Sequence, residues 1–298
     1  MRSEKQVIEQ LLGFAREEDR IRLVGMAGSR TNENVPADIY RDYDISFLVT
    51  EMKSFLQSDR WLDRFGPRLM MQKPEAMELF PSELGSWFSY LILFEDGVKL
   101  DLTLIPLKEL SSYLHEDRLL RILLDKDGLV PSLPAASDQN HWIKRPNARC
   151  FDDCCNEFWM TATYVAKGLL RGELPFAAWH MEQIVRAQLY TMLCWMIGFQ
   201  NGFAFSLGKH HKFIRRYLTG SQWELLCATY RLDSIENGGQ ALKAAFSLFR
   251  EASKKTAAAL GCPYPDYDAA VTRYIEKMCR WKEEEPLPGG WQEKGESL

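Results

Sequence analysis

The chain has 298 residues, 46% hydrophobic and 26% charged, with 37 basic residues against 41 acidic ones. That hydrophobic content supports a packed interior and excludes a disordered chain; at roughly 150 residues per domain, the length suits two domains. The net charge of −4 offers no broad attraction to nucleic acid or anionic membranes, so neither is expected as a partner.

The opening MRSEKQVIEQ has no apolar signal core, and no stretch approaches 18 uninterrupted apolar residues; no leader or membrane span is expected. The seven cysteines (150, 154, 155, 194, 227, 262 and 279) are odd in number and form no Cys-x-x-Cys pair. A cytoplasmic protein whose thiols are mostly buried packing residues is the expectation. Cys150, Cys154 and Cys155 lack the histidine or fourth cysteine that a zinc site needs at a usual spacing.

Residues 3–18 read as an amphipathic helix, with Val7, Ile8, Leu11, Leu12 and Ala15 on one stripe. A strand IRLVGMAG follows, then the polar loop SRTNENVPADIYR and a strand DYDISFLV. DRWLDRFG reads as a short helix ending at Gly66, and RLMMQ as a strand. WFSYLILF and VKLDLTLIP, joined by EDG, form the clearest hairpin. Residues 128–148 hold three prolines in a polar setting and read as a linker. Beyond them the apolar periodicity is helical, in FDDCCNEFWMTATYVAKGLLRG, AAWHMEQIVRAQLYTMLCWMIGFQNG, KFIRRYL, SQWELLCATYR, GQALKAAFSLFREASKKTAAALG and YDAAVTRYIEKMCRW. The expected class is α+β: a mixed sheet flanked by helices over residues 1–136, an all-α helical bundle over 137–282, and an aperiodic, unstructured tail over 283–298.

The strand DYDISFLV begins with two aspartates, a residue depleted from strands. Residues i and i+2 share a strand face, so Asp42 and Asp44 project together. In VKLDLTLIP, Val98, Leu100, Leu102 and Leu104 fill one face, leaving Lys99, Asp101 and Thr103 on the other. If the two strands are close and these faces coincide, three carboxylates meet. They would repel one another unless a cation compensated them. Oxygen-only ligands select a hard ion, and Mg²⁺ bound by a few carboxylates and substrate phosphates suits metal-assisted nucleotide chemistry. Taken singly, each aspartate fits a solvated strand end equally well. Upstream, Gly28 and Ser29 close a strand, where a glycine allows close backbone approach, and free amides with a serine hydroxyl can hold a triphosphate.

Gly28-Ser29, then Asp42-Tyr43-Asp44, then a third carboxylate on a later strand resembles the signature of the DNA-polymerase-β-like nucleotidyltransferase superfamily. Within it the chain resembles the aminoglycoside 6-adenylyltransferase family, on the stretches GSRTNENVPADIYRDYDISFLVT, RLMMQKPEAMELFP, WFSYLILFEDGVKLDLTLIP, WIKRPNARCFDDCCNEFW, GKHHKFIRRYL and YPDYD. The resemblance implies a nucleotidyltransferase sheet and a helical domain. It implies Mg²⁺ and ATP held by Asp42 and Asp44, with Asp101 completing the metal site and helping to deprotonate a sugar hydroxyl. Gly28, Ser29 and Arg30 would bind the nucleotide's phosphates. The implied reaction is AMP transfer from ATP to the 6-hydroxyl of streptomycin, releasing pyrophosphate, by a monomer or weak dimer. Another acceptor (a different aminoglycoside, a lincosamide or a protein hydroxyl) and a non-catalytic nucleotide-binding module stay open; the presence of all three aspartates counts against the last.

Two further groups are candidates. Lys209 and Lys212, three apart at the start of an expected helical segment, either reach the triphosphate or lie on a solvated basic face; the surrounding residues are not a P-loop. Asp152 or Asp153 is the expected N-cap of the long helix that follows the linker. Streptomycin carries two guanidinium groups, which carboxylates pair in bidentate fashion. Asp153 and Glu157 are therefore candidate antibiotic contacts, with Trp87 and Trp159 as apolar walls.

Overall fold

The computed structural model describes residues 1–284; of the expected tail, residues 285–298 lie outside them. The chain divides into two compact units, Met1–His141 and a second beginning at Trp142.

In the first unit the order is α1 (Glu4–Glu17), β1 (Ile21–Ala27), β2 (Tyr43–Val49), α2 (Lys53–Leu56), β3 (Arg68–Gln72), β4 (Phe88–Phe94), β5 (Lys99–Pro106), α3 (Leu110–Glu116) and β6 (Leu120–Asp125). Ser3 starts α1 through a capping box. Its hydroxyl accepts from the Gln6 amide while the Gln6 side chain accepts from the Ser3 amide, satisfying two donors that helix geometry leaves over. The expected short helix before Gly66 is a 3-10 turn, Asp59–Phe65. The six strands lie in the order β3-β4-β5-β2-β1-β6. β2 and β5 run parallel and the other neighbours antiparallel.

The alternation of residue types sets the two faces of this sheet. Tyr43, Ile45, Phe47 and Val49 of β2 and Leu100, Leu102 and Leu104 of β5 are buried against Val7, Leu11, Phe14 and Ala15 of α1. On the reverse face Leu23, Leu48 and Ile105 pack under Tyr113 of α3. That apolar patch ends along the strands before Asp44 and Asp101 are reached, and the remainder of the face is polar.

The chain start is tied to the β4–β5 turn by Arg2, whose amide and Nε both donate to Asp96 Oδ2 at 2.9 Å. Those hydrogen bonds pull the Asp96 carboxyl down from its ordinary 3.8 to about 2. A depressed folded-state pKa gives stability that is complete above the unfolded value and lost as the pH falls through the folded one. Asp96→Asn is therefore expected to lower stability by about 1 kcal/mol near neutral pH. The deficit should vanish on acid titration from pH 4 to 2, followed by urea melts.

The second unit holds α4 (Ala148–Arg171), α5 (Leu174–His180), α6 (Arg186–Asn201), α7 (Gly220–Ala228), α8 (Ile235–Leu260) and α9 (Tyr267–Glu284), with a π-helical turn at Met181–Val185. Phe158 and Trp159 of α4 pack on Phe246 and Phe249 of α8 in one aromatic cluster. Trp159 is fully enclosed there and walls no open site. A half-buried ion pair anchors α9: Arg250 donates to both oxygens of the buried Asp268 at 2.7 and 2.6 Å, and Tyr264 donates a third bond at 2.8 Å. Removing Asp268 leaves the Arg250 guanidinium, about a third exposed, without its carboxylate and Tyr264 without its acceptor. Asp268→Ala should destabilise this unit by about 2 kcal/mol, read as a lowered midpoint in guanidinium unfolding.

Of the cysteines only Cys154 and Cys155 are buried; Cys194 and Cys262 are intermediate and Cys150, Cys227 and Cys279 exposed, so the expectation of mostly buried thiols fails. Among the described residues, no helix is long and apolar enough to cross a membrane.

Candidate active site

The parallel pairing of β2 with β5 sets Asp44 directly opposite Asp101, with Ser46 opposite Thr103 one row further along. Residues paired in this way point to the same side of the sheet, so both carboxylates stand on the face opposite α1. In the next row Ser89 and Thr103 share a 3.0 Å hydrogen bond. This polar strip separates the carboxylates from the apolar patch under α3. Asp42, immediately before β2, joins Asp101 through Lys99. The Lys99 ammonium donates to Asp42 Oδ2 at 2.8 Å and to Asp101 Oδ1 and Oδ2 at 2.7 and 2.9 Å. Burial alone would depress its pKa, but the bonds from Asp101 and Asp42 outweigh burial and hold it above the ordinary lysine value.

The Gly28–Arg30 turn closes over the same end of β1. Gly28 has φ +70°, and a Cβ there would lie 2.2 Å from Asp44 Oδ2. Both the left-handed backbone and the close approach require glycine. Ser29 follows it, its carbonyl accepting from Arg41 Nη1 at 3.2 Å. Arg30 is engaged within the fold. Its Nε donates to the Asp42 carbonyl (2.9 Å), Nη2 to the Arg41 carbonyl (2.7 Å) and Nη1 to Glu4 (2.6 Å). Its guanidinium also lies 3.6 Å over the Tyr43 ring. Arg30 thus clamps the backbone that presents Asp42.

The expectation of three carboxylates meeting directly is met only in part. Asp44 faces Asp101 across the ladder and Asp42 reaches Asp101 through Lys99, but among the described residues no three His, Cys, Asp or Glu side chains form a ready-made metal cage. The physical reason is the ammonium standing between two of the carboxylates. The donor chemistry nonetheless fits a hard cation. The ligands are oxygen-only and acidic, and a positive charge already bridges two of them.

Elsewhere the placements differ more. Trp87 lies on the same sheet face, but its indole donates to Glu109 Oε2 at 2.6 Å and its ring meets Tyr113 edge-on, in the α3 cluster. Helix α4 begins one turn earlier than expected. Asn147, not Asp152 or Asp153, is the N-cap, accepting from the Cys150 amide. Asp153 and Glu157 stand exposed, four residues apart on one face of α4; Asp153 pairs with Arg149 at 3.1 Å and Glu157 accepts from Thr161. Lys209 and Lys212 do not share a helix. Lys209–His211 is a 3-10 turn broken by His210 and His211 at φ 54° and 60°, after Gly208 at φ 76°. With no helix beginning there, no helix dipole adds to the charge of the two lysines. Both lysines are exposed.

Lys99 and Arg41 carried no sequence-based role. For Lys99 a signal existed, since a lysine two residues before an aspartate on one strand face must neighbour it. Arg41 sits in an aperiodic loop, and its contact with the Ser29 carbonyl has no local signature.

The family model for streptomycin adenylyltransferase matches residues 1–278. The chain is 52% identical over 277 residues to an aminoglycoside 6-adenylyltransferase of Bacillus subtilis, covering 93% of this chain and 98% of that one. It is 48% identical over 275 residues to an aminoglycoside 6-adenylyltransferase of Campylobacter jejuni, with coverage of 92% and 95%. A crystal structure of an aminoglycoside 6-adenyltransferase from Bacillus subtilis aligns over 94% of this chain and 99% of that one, at 47% identity and a TM-score of 0.46. The family model and the two sequence relatives define the chain as an adenylyltransferase. It belongs to the streptomycin adenylyltransferase family.

Proposed function

We propose that this enzyme transfers AMP from ATP to the 6-hydroxyl of streptomycin, releasing pyrophosphate and inactivating the antibiotic. The observation that carries the reading is the in-register pairing of Asp44 with Asp101 beside the Gly28–Arg30 turn, in a chain similar along most of its length to aminoglycoside 6-adenylyltransferases. Asp42, Asp44 and Asp101 would hold Mg²⁺, which when bound supplies charge neutralisation to the phosphates. Gly28 and Ser29, at the end of β1, offer backbone amides and a hydroxyl to the β- and γ-phosphates.

Asp101 accepts the proton of the acceptor hydroxyl. The hydroxyl oxygen then forms a bond to the α-phosphorus as the bond from that phosphorus to pyrophosphate breaks. A carboxylate base on a rigid strand suits this task, because it is held in place by the ladder rather than by a loop. Arg30 contributes by fixing the Asp42 backbone. Lys209 and Lys212 are the second unit's candidates for the nucleotide. Asp153 and Glu157 offer two carboxylates at helical spacing to the two guanidinium groups of the antibiotic, and Trp87 is the candidate apolar contact.

Incubation with ATP, Mg²⁺ and streptomycin, followed by mass analysis of the antibiotic, tests the reading. One added adenylyl group and an equivalent of pyrophosphate are expected. An unmodified streptomycin alongside an adenylylated second aminoglycoside would replace the acceptor; no pyrophosphate with any acceptor would sink the reaction.

A further inference from the structure

Lys99 forms three short contacts with the two carboxylates on which the proposed chemistry depends, and the inference that follows rests on that reading. Its ammonium touches both oxygens of Asp101 and one of Asp42. A carboxylate with both oxygens accepting from an ammonium is poorly placed to take a proton from a hydroxyl. A divalent ion bound by Asp42 and Asp101 would also need oxygens that Lys99 now holds. The ammonium and the ion cannot both have them.

We infer that Lys99 is an exchangeable counter-ion. It holds Asp42 and Asp101 together before a divalent cation arrives, and it is displaced when the cation enters, which frees the Asp101 oxygen that the cation does not use to act as base. The charge balance supports exchange over simple addition: Asp42 and Asp101 together carry two negative charges against the single charge of the lysine that bridges them. Replacing one positive charge by two improves the neutralisation.

The side chain has both freedom and room to leave. It is 39% exposed on a flexible four-carbon stem. Beside it lies a cavity of about 380 Å³ whose lining includes Ser3, Tyr40, Arg41, Asp42, Val98 and Lys99. The strand backbone need not move. Lys99 is thus a positioning residue: it acts through Asp101 and Asp42 and couples cation loading to release of the base.

Two measurements without turnover test this. The first is Mn²⁺ binding to nucleotide-free protein, followed by electron paramagnetic resonance, for wild type, Lys99→Met, Lys99→Gln and Asp44→Asn. Removing the competing ammonium should tighten Mn²⁺ binding about tenfold in both lysine variants, whereas Asp44→Asn should weaken it. The second uses wild-type protein alone. Acylation of Lys99 by an N-hydroxysuccinimide ester, read by peptide mass spectrometry, should rise several-fold on saturation with Mn²⁺.

Unchanged or weaker Mn²⁺ binding in a folded lysine variant would overturn the exchange, as would Lys99 labelling that ignores Mn²⁺. If neither variant folds, the wild-type labelling decides. Failure of the underlying reading has a different signature: Asp44→Asn would then bind Mn²⁺ like the wild type.

Discussion

Asp44→Asn should leave the protein folded and reduce AMP transfer by about a thousandfold or more. The substitution keeps the shape of the side chain and removes its charge. Metal-assisted stabilisation of developing phosphate charge is worth several kcal/mol, and about 4 kcal/mol corresponds to three decades in rate at about 1.36 kcal/mol per decade. The fold should tolerate the change. Asp44 is half-buried at the mouth of β2, on the face away from the α1 core. Removing one carboxylate opposite Asp101 also relieves like-charge repulsion. Pyrophosphate release and thermal unfolding, measured on the same preparation, separate the two effects. Turnover near wild type with a matched melting temperature would remove Asp44 from the mechanism.

What the sequence made legible follows from periodicity. The alternation in DYDISFLV and VKLDLTLIP identified both inner strands and assigned Asp44 and Asp101 to their polar faces, and the structure pairs those two residues in register. The helical stripe of residues 3–18 likewise appears as α1. Features set by single dihedrals or distant partners stayed hidden. KFIRRYL has the composition of a helix but forms only a 3-10 turn, Ile214–Arg216; the two histidines just before it sit in left-handed backbone, and no local pattern announces non-glycine residues in that region. The start of α4 was misplaced because Asn147, which makes the capping bond, lies in the proline-containing stretch that reads as a linker. β6 closes the sheet against β1; its residues, LRILLD, do not alternate cleanly, so no strand was assigned. Lys99 falls on the expected face; its link to Asp101, two residues away, was legible, whereas its second partner, Asp42, comes from 57 residues away and was not.

Gly28→Ala is the substitution that most directly probes how the turn and the carboxylates depend on each other. The new Cβ would sit 2.2 Å from Asp44 Oδ2 and 2.9 Å from its Cγ, far inside contact distance. Either the Asp44 side chain rotates away or the turn opens. The backbone adds a second penalty, because φ +70° costs an alanine about 1 kcal/mol that glycine does not incur. The expected result is a fall in melting temperature of a few degrees, corresponding to about 1–2 kcal/mol, together with a loss of turnover of at least about a hundredfold from ångström-scale misplacement. The activity loss should run through Asp44. In a double-mutant cycle Gly28→Ala should then cost little further activity once Asp44 is already asparagine, since residues acting as one unit are strongly non-additive. The stability loss should persist in the double variant, because the backbone penalty at position 28 remains. Full turnover in Gly28→Ala would make the glycine a requirement of folding alone, whereas strictly multiplicative losses across the cycle would show that the turn acts on catalysis independently of Asp44.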